Sequence, residues 1–473
     1  MFDPNLLCKY KDGFGAYTEL RAHNNGGGTL TCVNGSFTEN PNLTYRAGRG
    51  ISARVFEKGA FGFASLPACD EAAILSVLKT ARENARILGA RVKTPAPDFP
   101  RQENGVMPIK RPFRYLSLKE QTDFMTEVEK NCKGKYADIK HMDITVDMAF
   151  SEKMLAVSNG FDSHSLETIM SVQVTLSKEG PGAALLTSGP DVFYSIHYLD
   201  ALVDDPAPLY DYIEKQYQSI GPQKKPNENE DLTDAKGGMF DCILSPTFTA
   251  MLAHEAVGHT MEADAMLDKA SAGVKYMGKQ VASPLVSLTD FANTAYGKLL
   301  PIQNFVDDEG ILCMDAVIIK DGVLTGAMTN RASARELGLD LTGNARASGY
   351  MDAPIVRMRN TCFLPGQSSL EDMIASVERG YYLTRSSGGN GDMTGKFNMG
   401  VDEGYEIVGG KVGKPIKKTI VTGTAWEALS TVDMVSDGFK VDDRPGSCGK
   451  SDQSLPTISG GPAFKLKLKI GGS

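Results

Sequence analysis

Residues 252–262 read Leu252-Ala253-His254-Glu255-Ala256-Val257-Gly258-His259-Thr260-Met261-Glu262. This stretch places two of the chain's six histidines and a glutamate within six consecutive positions. The apolar residues Phe248, Met251 and Leu252 lead into it and predict that it lies on a buried helix. Ser245 is a favourable N-cap residue and Pro246 suits a first helical position, so we expect the helix to begin there.

The spacing of the two histidines does not fit a regular α-helix. The pattern is His-Glu-x-x-x-His, one residue longer than the His-Glu-x-x-His helix of zinc proteases. A helix turns about 100° per residue, so this spacing sets the imidazoles about 140° apart, too far to share one metal. We therefore expect a π-bulge or a kink near Gly258, because glycine tolerates unusual backbone angles. The alternative is an ordinary core helix whose histidines bond to backbone groups.

The bulk composition limits the class of protein. The 473 residues suggest two or more domains, and 41% hydrophobic and 23% charged residues are typical of a soluble globular protein. The net charge of −8 argues against nucleic acid or an anionic membrane as the partner. Residues Met1–Asn5 have no basic start and no run of 18 apolar residues occurs, so we expect a cytoplasmic protein without a membrane span. The eight cysteines include no Cys-x-x-Cys pair, which predicts free thiols.

Helix and strand signals are mixed without a regular β-α-β rhythm, which predicts an α+β fold. Residues 14–66 and 142–150 predict strands, and Asp70 and Ser117 are expected to cap two helices. Residues 93–112 contain five prolines and are expected to form an extended crossing segment.

A polar run after residue 220 predicts the domain boundary. We expect an N-terminal mixed α/β domain of the α+β class at 1–225. A C-terminal β-rich domain at 226–473 would carry the histidine helix. Within it, Asp321-Gly322 predicts a hairpin turn, and residues 464–470 alternate as a strand with a solvated or edge-protecting face.

A third metal ligand is required if the two histidines bind zinc. A catalytic zinc takes three protein ligands and leaves one position for water. Apart from His254 and His259, the histidines all lie in the first half of the chain. Cys448 is the better candidate, since it lies in a loop, residues 443–451, whose glycines let the backbone come close to a site. Glu262 and Asp264 are rivals as oxygen ligands, or partners that orient an imidazole through its other nitrogen.

Glu255 follows the first histidine, in the position of a general base. It would take a proton from a metal-bound water and pass it to the leaving amine, while zinc polarises the carbonyl. The alternative is a structural role in which Glu255 caps a buried polar group. Another interpretation makes Cys448 the nucleophile of a cysteine hydrolase, but it leaves the His-Glu-x-x-x-His pattern unexplained.

Several motifs of the second half follow one another in a recognisable order. They are His254-Glu255-Ala256-Val257-Gly258-His259, Asp307-Asp308-Glu309-Gly310, Thr342-Gly343-Asn344-Ala345-Arg346, Pro354-Ile355-Val356-Arg357-Met358-Arg359-Asn360-Thr361, Gly395-Lys396-Phe397, Lys414-Pro415-Ile416-Lys417 and Cys448-Gly449-Lys450. In this order they resemble the TldD/PmbA family of metalloproteases. Residues 48–55 and 62–64 are similar to that family's early sheet.

What the resemblance implies is a zinc peptidase with His254, His259 and Cys448 as ligands and Glu255 as base. Family members form two-fold dimers, either homodimers or pairs with a paralogue that lacks the metal motif. Their metal lies in an enclosed cavity that admits unfolded or short peptides. This chain keeps the motif, so it resembles the catalytic partner. The alternative is a non-catalytic peptide-binding partner of an active paralogue, and direct DNA binding is disfavoured because no basic stripe occurs.

Overall fold

The computed structural model describes residues 2–3, 5–41, 48–92, 99, 105–107, 114, 116–181, 185–188, 192–195, 199–220, 232–441 and 446–471. The chain has an α+β fold, as the mixed sequence pattern predicts. No helix within these ranges is both long enough and apolar enough to cross a membrane. The eight cysteines are free thiols, which confirms that prediction.

The N-terminal half, residues 2–220, is built on one sheet. Its strands are β1 (Tyr17–Val33), β2 (Ser36–Pro41), β3 (Gly48–Glu57), β4 (Ala60–Leu66), β5 (Gly105–Met107), β6 (Ile139–Val157), β7 (Phe161–Glu179), β8 (Leu185–Thr187) and β9 (Phe193–Ser195). They run in the order β4-β3-β1-β6-β7-β5, with β2 beside β1, and with β8 and β9 beside β7. In β6 the alternating residues Met142, Ile144 and Val146 are buried, which confirms the predicted alternation of buried and solvent-facing side chains along this strand.

Helices pack against this sheet. They are α1 (Glu71–Gly89), α2 (Leu118–Lys135), α3 (Leu199–Asp204) and α4 (Ala207–Gln218). The predicted caps are confirmed, since the Asp70 side chain accepts from the Ala73 amide and Ser117 forms a capping box with Glu120. Helix α1 lies on β3 and β4, where a Cβ at Gly62 would collide with the α1 backbone. Glycine at that position therefore allows the helix to approach the sheet closely.

The C-terminal half, residues 232–471, contains short helices and two further main sheets. The helices are α5 (Pro246–Leu252), α6 (Ala263–Leu267), α7 (Gly273–Tyr276), α8 (Arg331–Leu337), α9 (Leu370–Ala375) and α10 (Ala425–Ser430). The strands are β10 (Gly238–Leu244), β11 (Leu288–Phe291), β12 (Thr294–Ala295), β13 (Lys298–Leu299), β14 (Ala316–Lys320), β15 (Val323–Leu324), β16 (Ala345–Arg346), β17 (Ile355–Val356), β18 (Asn360–Phe363), β19 (Arg379–Gly391), β20 (Lys396–Val408), β21 (Lys411–Pro415), β22 (Thr419–Thr424), β23 (Met434–Val435), β24 (Lys440–Val441), β25 (Gly446–Lys450), β26 (Gln453–Gly461) and β27 (Phe464–Ile470).

One of these sheets closes on itself. Its order is β10-β19-β20-β22-β27, and β27 also pairs with β10, so the pairing returns to its starting strand. The other main sheet runs β15-β14-β11-β18-β26-β24, with β25 beside β26. Helix α5 contacts both β19 of the closed sheet and β26 of the other. The histidine stretch follows α5 directly, so the fold sets it between the two sheets.

Strand β27 is the final strand that the sequence predicts, and its exposed lysines confirm the solvated face. The edge-protecting role is wrong, because β27 pairs with β10 on one side and with β22 and β23 on the other. The hairpin at Asp321-Gly322 is confirmed between β14 and β15, with φ values of 49° and 80° that such a turn requires.

Two of the predictions fall on residues that the structure does not describe. The proline-rich segment 93–112 lies largely outside the described residues, as does the boundary at 225/226. The strands of the first sheet all come from the N-terminal half, and those of the other sheets from the C-terminal half. The division into domains at 1–225 and 226–473 stays a prediction.

Buried ion pairs join the two halves, and we call them the salt-bridge cluster: Glu19, Arg21, Arg54, Lys153, Asp308 and Glu309. The Asp308 carboxylate lies 3.0 Å from the Lys153 ammonium and 3.8 Å from the Arg21 guanidinium. The Arg54 guanidinium bridges Glu19, at 2.7 Å, and Glu309. Every charged group in this cluster therefore faces a partner of opposite sign from the same set.

Candidate metal centre

The helix that carries the histidines starts as predicted and then changes its winding. The Ser245 side chain accepts from the Phe248 amide, and Pro246 is the first residue of α5. After Leu252 the chain forms a π-helix over Ala253–Gly258, and the His259 amide donates to the carbonyl of His254, five residues earlier. The predicted π distortion is confirmed, because this winding brings residues five apart onto one face.

The two imidazoles are neighbours as a result. Their ring centroids lie 5.0 Å apart and their planes meet at 87°. A regular α-helix would turn the same two side chains away from each other. The ordinary core helix considered as an alternative is therefore excluded by the geometry.

Gly258 permits this arrangement for a different reason from the one that we predicted. Its backbone angles, φ −52° and ψ −55°, are ordinary helical values open to any residue. A Cβ at this position would collide with the Met358 sulfur, and Met358 is fully buried. The glycine is needed because the π-helix and the Met358 side chain pack closely, and not because of unusual torsion angles.

Cys448 comes to the histidines from a hairpin far along the chain. It lies in β25, where it pairs with Leu455 of β26, and it is 2% exposed. The prediction of a loop is wrong for residues 446–450, since they form a strand, and 443–445 lie outside the described residues. The neighbouring glycines are not required for close approach, because a Cβ at Gly449 would meet no atom within 4 Å.

His254, His259 and Cys448 together form what we call the donor cluster. Their nitrogen and sulfur ligand atoms lie within 4.8 Å of one another, and the Cys448 Sγ is 3.7 Å from the His259 Nε2. A tetrahedral zinc, with bonds of roughly 2.1 Å to nitrogen and 2.3 Å to sulfur, separates two such ligands by about 3.6 Å. The spacing and the chemistry of the donor cluster therefore fit zinc, with one position left for a non-protein ligand.

Each imidazole has a partner on its other nitrogen. The His259 Nδ1 lies 3.3 Å from a Glu262 carboxylate oxygen, and the His254 Nδ1 lies 3.4 Å from the Ser459 hydroxyl. Contacts of this kind fix the orientation of an imidazole and leave its Nε2 for a cation.

The electrostatics of the donor cluster favour a thiolate. Burial would raise the pKa of the Cys448 thiol, but its contacts with His254 and His259 lower that pKa from 9.0 to about 5. Burial would also lower the pKa of His259, but Cys448 and Glu262 raise it from 6.5 to about 10. The thiolate is the form of cysteine that binds zinc or acts as a nucleophile.

Glu255 lies on the π-helix between the two histidines and is half-buried. In the described part of the chain its carboxylate has no hydrogen-bond or ion-pair partner, so the structural capping role has no contact to support it. Its backbone carbonyl packs against Gly391 at the end of β19, where a Cβ would collide with it. The backbone of this residue is therefore held while its carboxylate is available.

The rival ligands Glu262 and Asp264 are occupied by other groups. Glu262 is fully buried, and its carboxylate lies 3.3 Å from the Lys450 ammonium as well as beside His259. Asp264 lies 2.6 Å from the same ammonium. Among the described residues, the group of potential ligand atoms that converges is the donor cluster without these two carboxylates.

Three residues of the site had no role in the sequence-based prediction: Ser459, Lys450 and Arg357. Lys450 and Arg357 stand in motifs that carry the family resemblance, and Arg357 lies in the alternating stretch Ile355-Val356-Arg357-Met358-Arg359. Charged residues inside a strand-like apolar run are a signal of buried ion pairs, since such residues are seldom buried alone. Ser459 offers no comparable signal.

Comparison with known proteins gives matches that together cover most of the chain. The family model described as "PmbA/TldA metallopeptidase C-terminal domain" matches residues 237–471. The chain is 27% identical over 441 residues to the "Metalloprotease TldD homolog" of Haemophilus influenzae, covering 91% of this chain and 88% of that protein. It is 32% identical over 238 residues to the "Zinc metalloprotease TldD homolog" of Saccharolobus solfataricus, covering 50% of this chain and about half, 52%, of that protein. The fold is similar to that of TldE from Thermococcus kodakarensis, with a TM-score of 0.63, 17% identity, and coverage of 98% of this chain and 99% of that one.

Proposed function

This chain belongs to the TldD/PmbA family, and we propose that it is a zinc-dependent metallopeptidase that hydrolyses unfolded or short peptides. In this proposal His254, His259 and Cys448 hold the zinc and Glu255 is the general base. The observation that carries it is the donor cluster itself, whose ligand atoms come within 4.8 Å of one another from sequence positions nearly two hundred residues apart. The names of the Haemophilus and Saccharolobus relatives support the same class of activity.

The chain's own residues have distinct parts in the hydrolysis. Zinc, when bound, supplies a Lewis acid for the peptide carbonyl and makes water a stronger acid. Glu255 accepts a proton from the attacking water and delivers it to the amine nitrogen that leaves. The water oxygen first bonds to the carbonyl carbon, and the carbon–nitrogen bond breaks once the amine nitrogen has received the proton from Glu255. Glu262 and Ser459 keep the two imidazoles in place during these transfers.

The proposed quaternary arrangement is a two-fold dimer that encloses the site, either of this chain alone or with a paralogous subunit. The fold shared with TldE supports a paralogue as a possible partner class. Native mass spectrometry of the chain, alone and with a co-expressed paralogue, distinguishes the two. A monomer under both conditions would contradict the enclosed cavity.

The decisive experiment measures zinc content and peptide cleavage in matched variants. Cys448→Ser should lose zinc and cleavage, because serine is a poor zinc ligand. Cys362→Ser is the control, since Cys362 is also a buried free thiol but lies outside the donor cluster. It should keep both zinc and activity. An unchanged zinc content in Cys448→Ser would overturn the ligand assignment and point back to Glu262 or Asp264.

A cysteine hydrolase is the second candidate, and the contact between Cys448 and His259 is the observation that favours it. A thiolate beside an imidazolium is the arrangement that such an enzyme uses. Strong chelation separates the two candidates. Cleavage by the zinc enzyme should stop and return when zinc is added, whereas a cysteine hydrolase would continue to cleave. No turnover of any disordered peptide by the zinc-loaded protein would instead favour the non-catalytic binding partner.

A further inference from the structure

The donor cluster unites two elements that the chain does not hold together by backbone pairing. His254 and His259 belong to the π-helix and the turn after it, whereas Cys448 belongs to β25. Strand β25 pairs with β26 and, in the described part of the chain, with no other strand. Side-chain contacts with the segments around the histidines therefore add to the pairing with β26 in fixing the position of β25.

The buried carboxylate of Glu262 is the common point of these side-chain contacts. One of its oxygens lies 3.3 Å from the His259 Nδ1 and 3.3 Å from the Lys450 Nζ. The other lies 3.9 Å from the Arg357 Nε, and both Glu262 and Arg357 are fully buried. A single anion thus joins a proposed ligand to two cations from other elements.

Lys450, the last residue of β25, links this strand to neighbouring segments. It follows Cys448 by two positions in the strand, so the two side chains lie on the same side of β25. Its ammonium donates to Asp264 at 2.6 Å and to the Val356 carbonyl at 3.0 Å, in addition to facing Glu262. These contacts tie the strand to the segment just after the π-helix.

Arg357 binds both strands of the β25–β26 hairpin. Its guanidinium donates to the carbonyl of Cys448 in β25 and, at 3.3 Å, to the carbonyl of Gln453 in β26. The next residue, Met358, packs against Gly258 of the π-helix. The Arg357-Met358 dipeptide therefore contacts both the hairpin that carries Cys448 and the helix that carries the histidines.

From these contacts we infer that Lys450 and Arg357 are positioning residues, which hold the Cys448 sulfur against the two imidazoles. Lys450 acts through Glu262 and Asp264. Arg357 acts through the Cys448 carbonyl as well as Glu262. This inference rests on the proposed function, because it assigns the cations a part in assembling a zinc site. Neither cation touches the ligand atoms themselves. Outer partners of this kind typically change metal affinity by roughly 10- to 100-fold when they are removed.

The test compares zinc affinity in Lys450→Met with that in Lys465→Met. The two lysine side chains are matched, at 14% and 12% exposed, and each is paired with an aspartate, but Lys465 contacts Asp433 away from the site. Chelator competition should show a roughly 10- to 100-fold loss of zinc affinity in Lys450→Met and little change in the control. Lys450→Arg keeps the charge and should recover most of the affinity.

A second readout reports the sulfur directly. In the cobalt-loaded protein, a thiolate-to-cobalt charge-transfer band measures whether Cys448 is a ligand, and Lys450→Met should weaken this band. Metal-free Lys450→Met should unfold at a lower temperature than Lys465→Met, because it removes a cationic partner of the buried Glu262 carboxylate. A purely structural role for Lys450 would lower this temperature and leave the cobalt band of the folded protein unchanged, whereas a positioning role weakens the band as well. If Lys450→Met does not fold, the same two measurements are made on Arg357→Lys, which should also show a lower zinc affinity and a weaker cobalt band.

The outcomes separate the inference from the proposed function. Wild-type affinity and an undiminished cobalt band in Lys450→Met would overturn the positioning role while leaving the zinc site intact. A wild-type protein that binds neither zinc nor cobalt would overturn the proposed function, and the positioning role with it.

Discussion

Two buried polar clusters of this molecule have opposite compositions. In the salt-bridge cluster, acids alternate with bases, and the Asp308 carboxylate lies between the Lys153 and Arg21 side chains. In the donor cluster, three groups that offer electron pairs converge on one another. In a buried set of alternating charges, each charge is neutralised by a neighbour of opposite sign. In a buried set of electron-pair donors, a cation or a proton has to lie between the donor atoms. The difference supports a structural role for the salt-bridge cluster and the zinc site that we propose at the donor cluster.

The largest expected effect is on catalysis, and it comes from Glu255→Gln. Glutamine cannot accept the proton, so kcat/KM for a disordered peptide should fall by about 10²- to 10⁴-fold. Zinc content should stay at the wild-type level, because Glu255 is not in the donor cluster. Steady-state kinetics and metal analysis of the same sample check both expectations.

Glu371→Gln is the control for that variant, since Glu371 is exposed on α9 and its substitution should leave cleavage unchanged. Cleavage retained in Glu255→Gln would remove the general base from the proposal. It would leave the donor cluster as a metal site of another function.

The salt-bridge cluster should respond in stability and not in chemistry. Asp308→Ala leaves the Lys153 and Arg21 charges buried without their partner, which costs about 3–5 kcal/mol of unfolding free energy. Urea unfolding of the metal-free protein measures this loss. Asp123→Ala breaks an exposed pair with Lys119 and should change the same free energy by less than about 1 kcal/mol. Equal losses in the two variants would contradict a stabilising role for the salt-bridge cluster.

The two clusters also differ in how far the sequence could predict them. The π distortion was predictable, because the spacing of His254 and His259 conflicts with an α-helix and the conflict has few structural solutions. The helix caps and the Asp321-Gly322 turn were also predictable, because each depends only on residues that are neighbours in the sequence. These features are local, and local chemistry determines them.

Contacts between distant residues were not predictable in the same way. The residue types left Cys448, Glu262 and Asp264 as open alternatives with Cys448 preferred for its neighbouring glycines, and the full ligand set came only from the family resemblance. The partners of Asp308 stand more than 150 residues earlier, in β1 and β6, and no periodicity connects them. The explanation of Gly258 failed similarly, because the atom that requires the glycine belongs to Met358, a hundred residues away.

Acid should weaken the salt-bridge cluster in a defined direction. Burial would raise the pKa of Asp308, but Lys153, Arg21 and His23 lower it from 3.8 to about 2. A carboxyl whose folded-state pKa is lowered stabilises the fold above its unfolded pKa, and this stability is lost as the pH falls towards 2. The expected loss is on the order of 2 kcal/mol. Unfolding free energies of wild type and Asp308→Asn, measured from pH 6 to pH 3, should converge as the pH falls, and a constant difference would contradict the lowered pKa.

The smallest expected effect returns to the donor cluster through Gly258→Ala. The added methyl group would collide with the sulfur of Met358, whose side chain has to move within a packed core, and we expect a net loss of about 1 kcal/mol. Gly134→Ala, in α2, meets no atom within 4 Å and should instead gain about 0.4–1 kcal/mol. Because Met358 adjoins Arg357, the stabilisation that added zinc gives to Gly258→Ala should also be smaller than in wild type. Thermal unfolding with and without zinc measures both quantities, and a Gly258→Ala protein as stable as Gly134→Ala would show that the close packing of the π-helix does not shape the donor cluster.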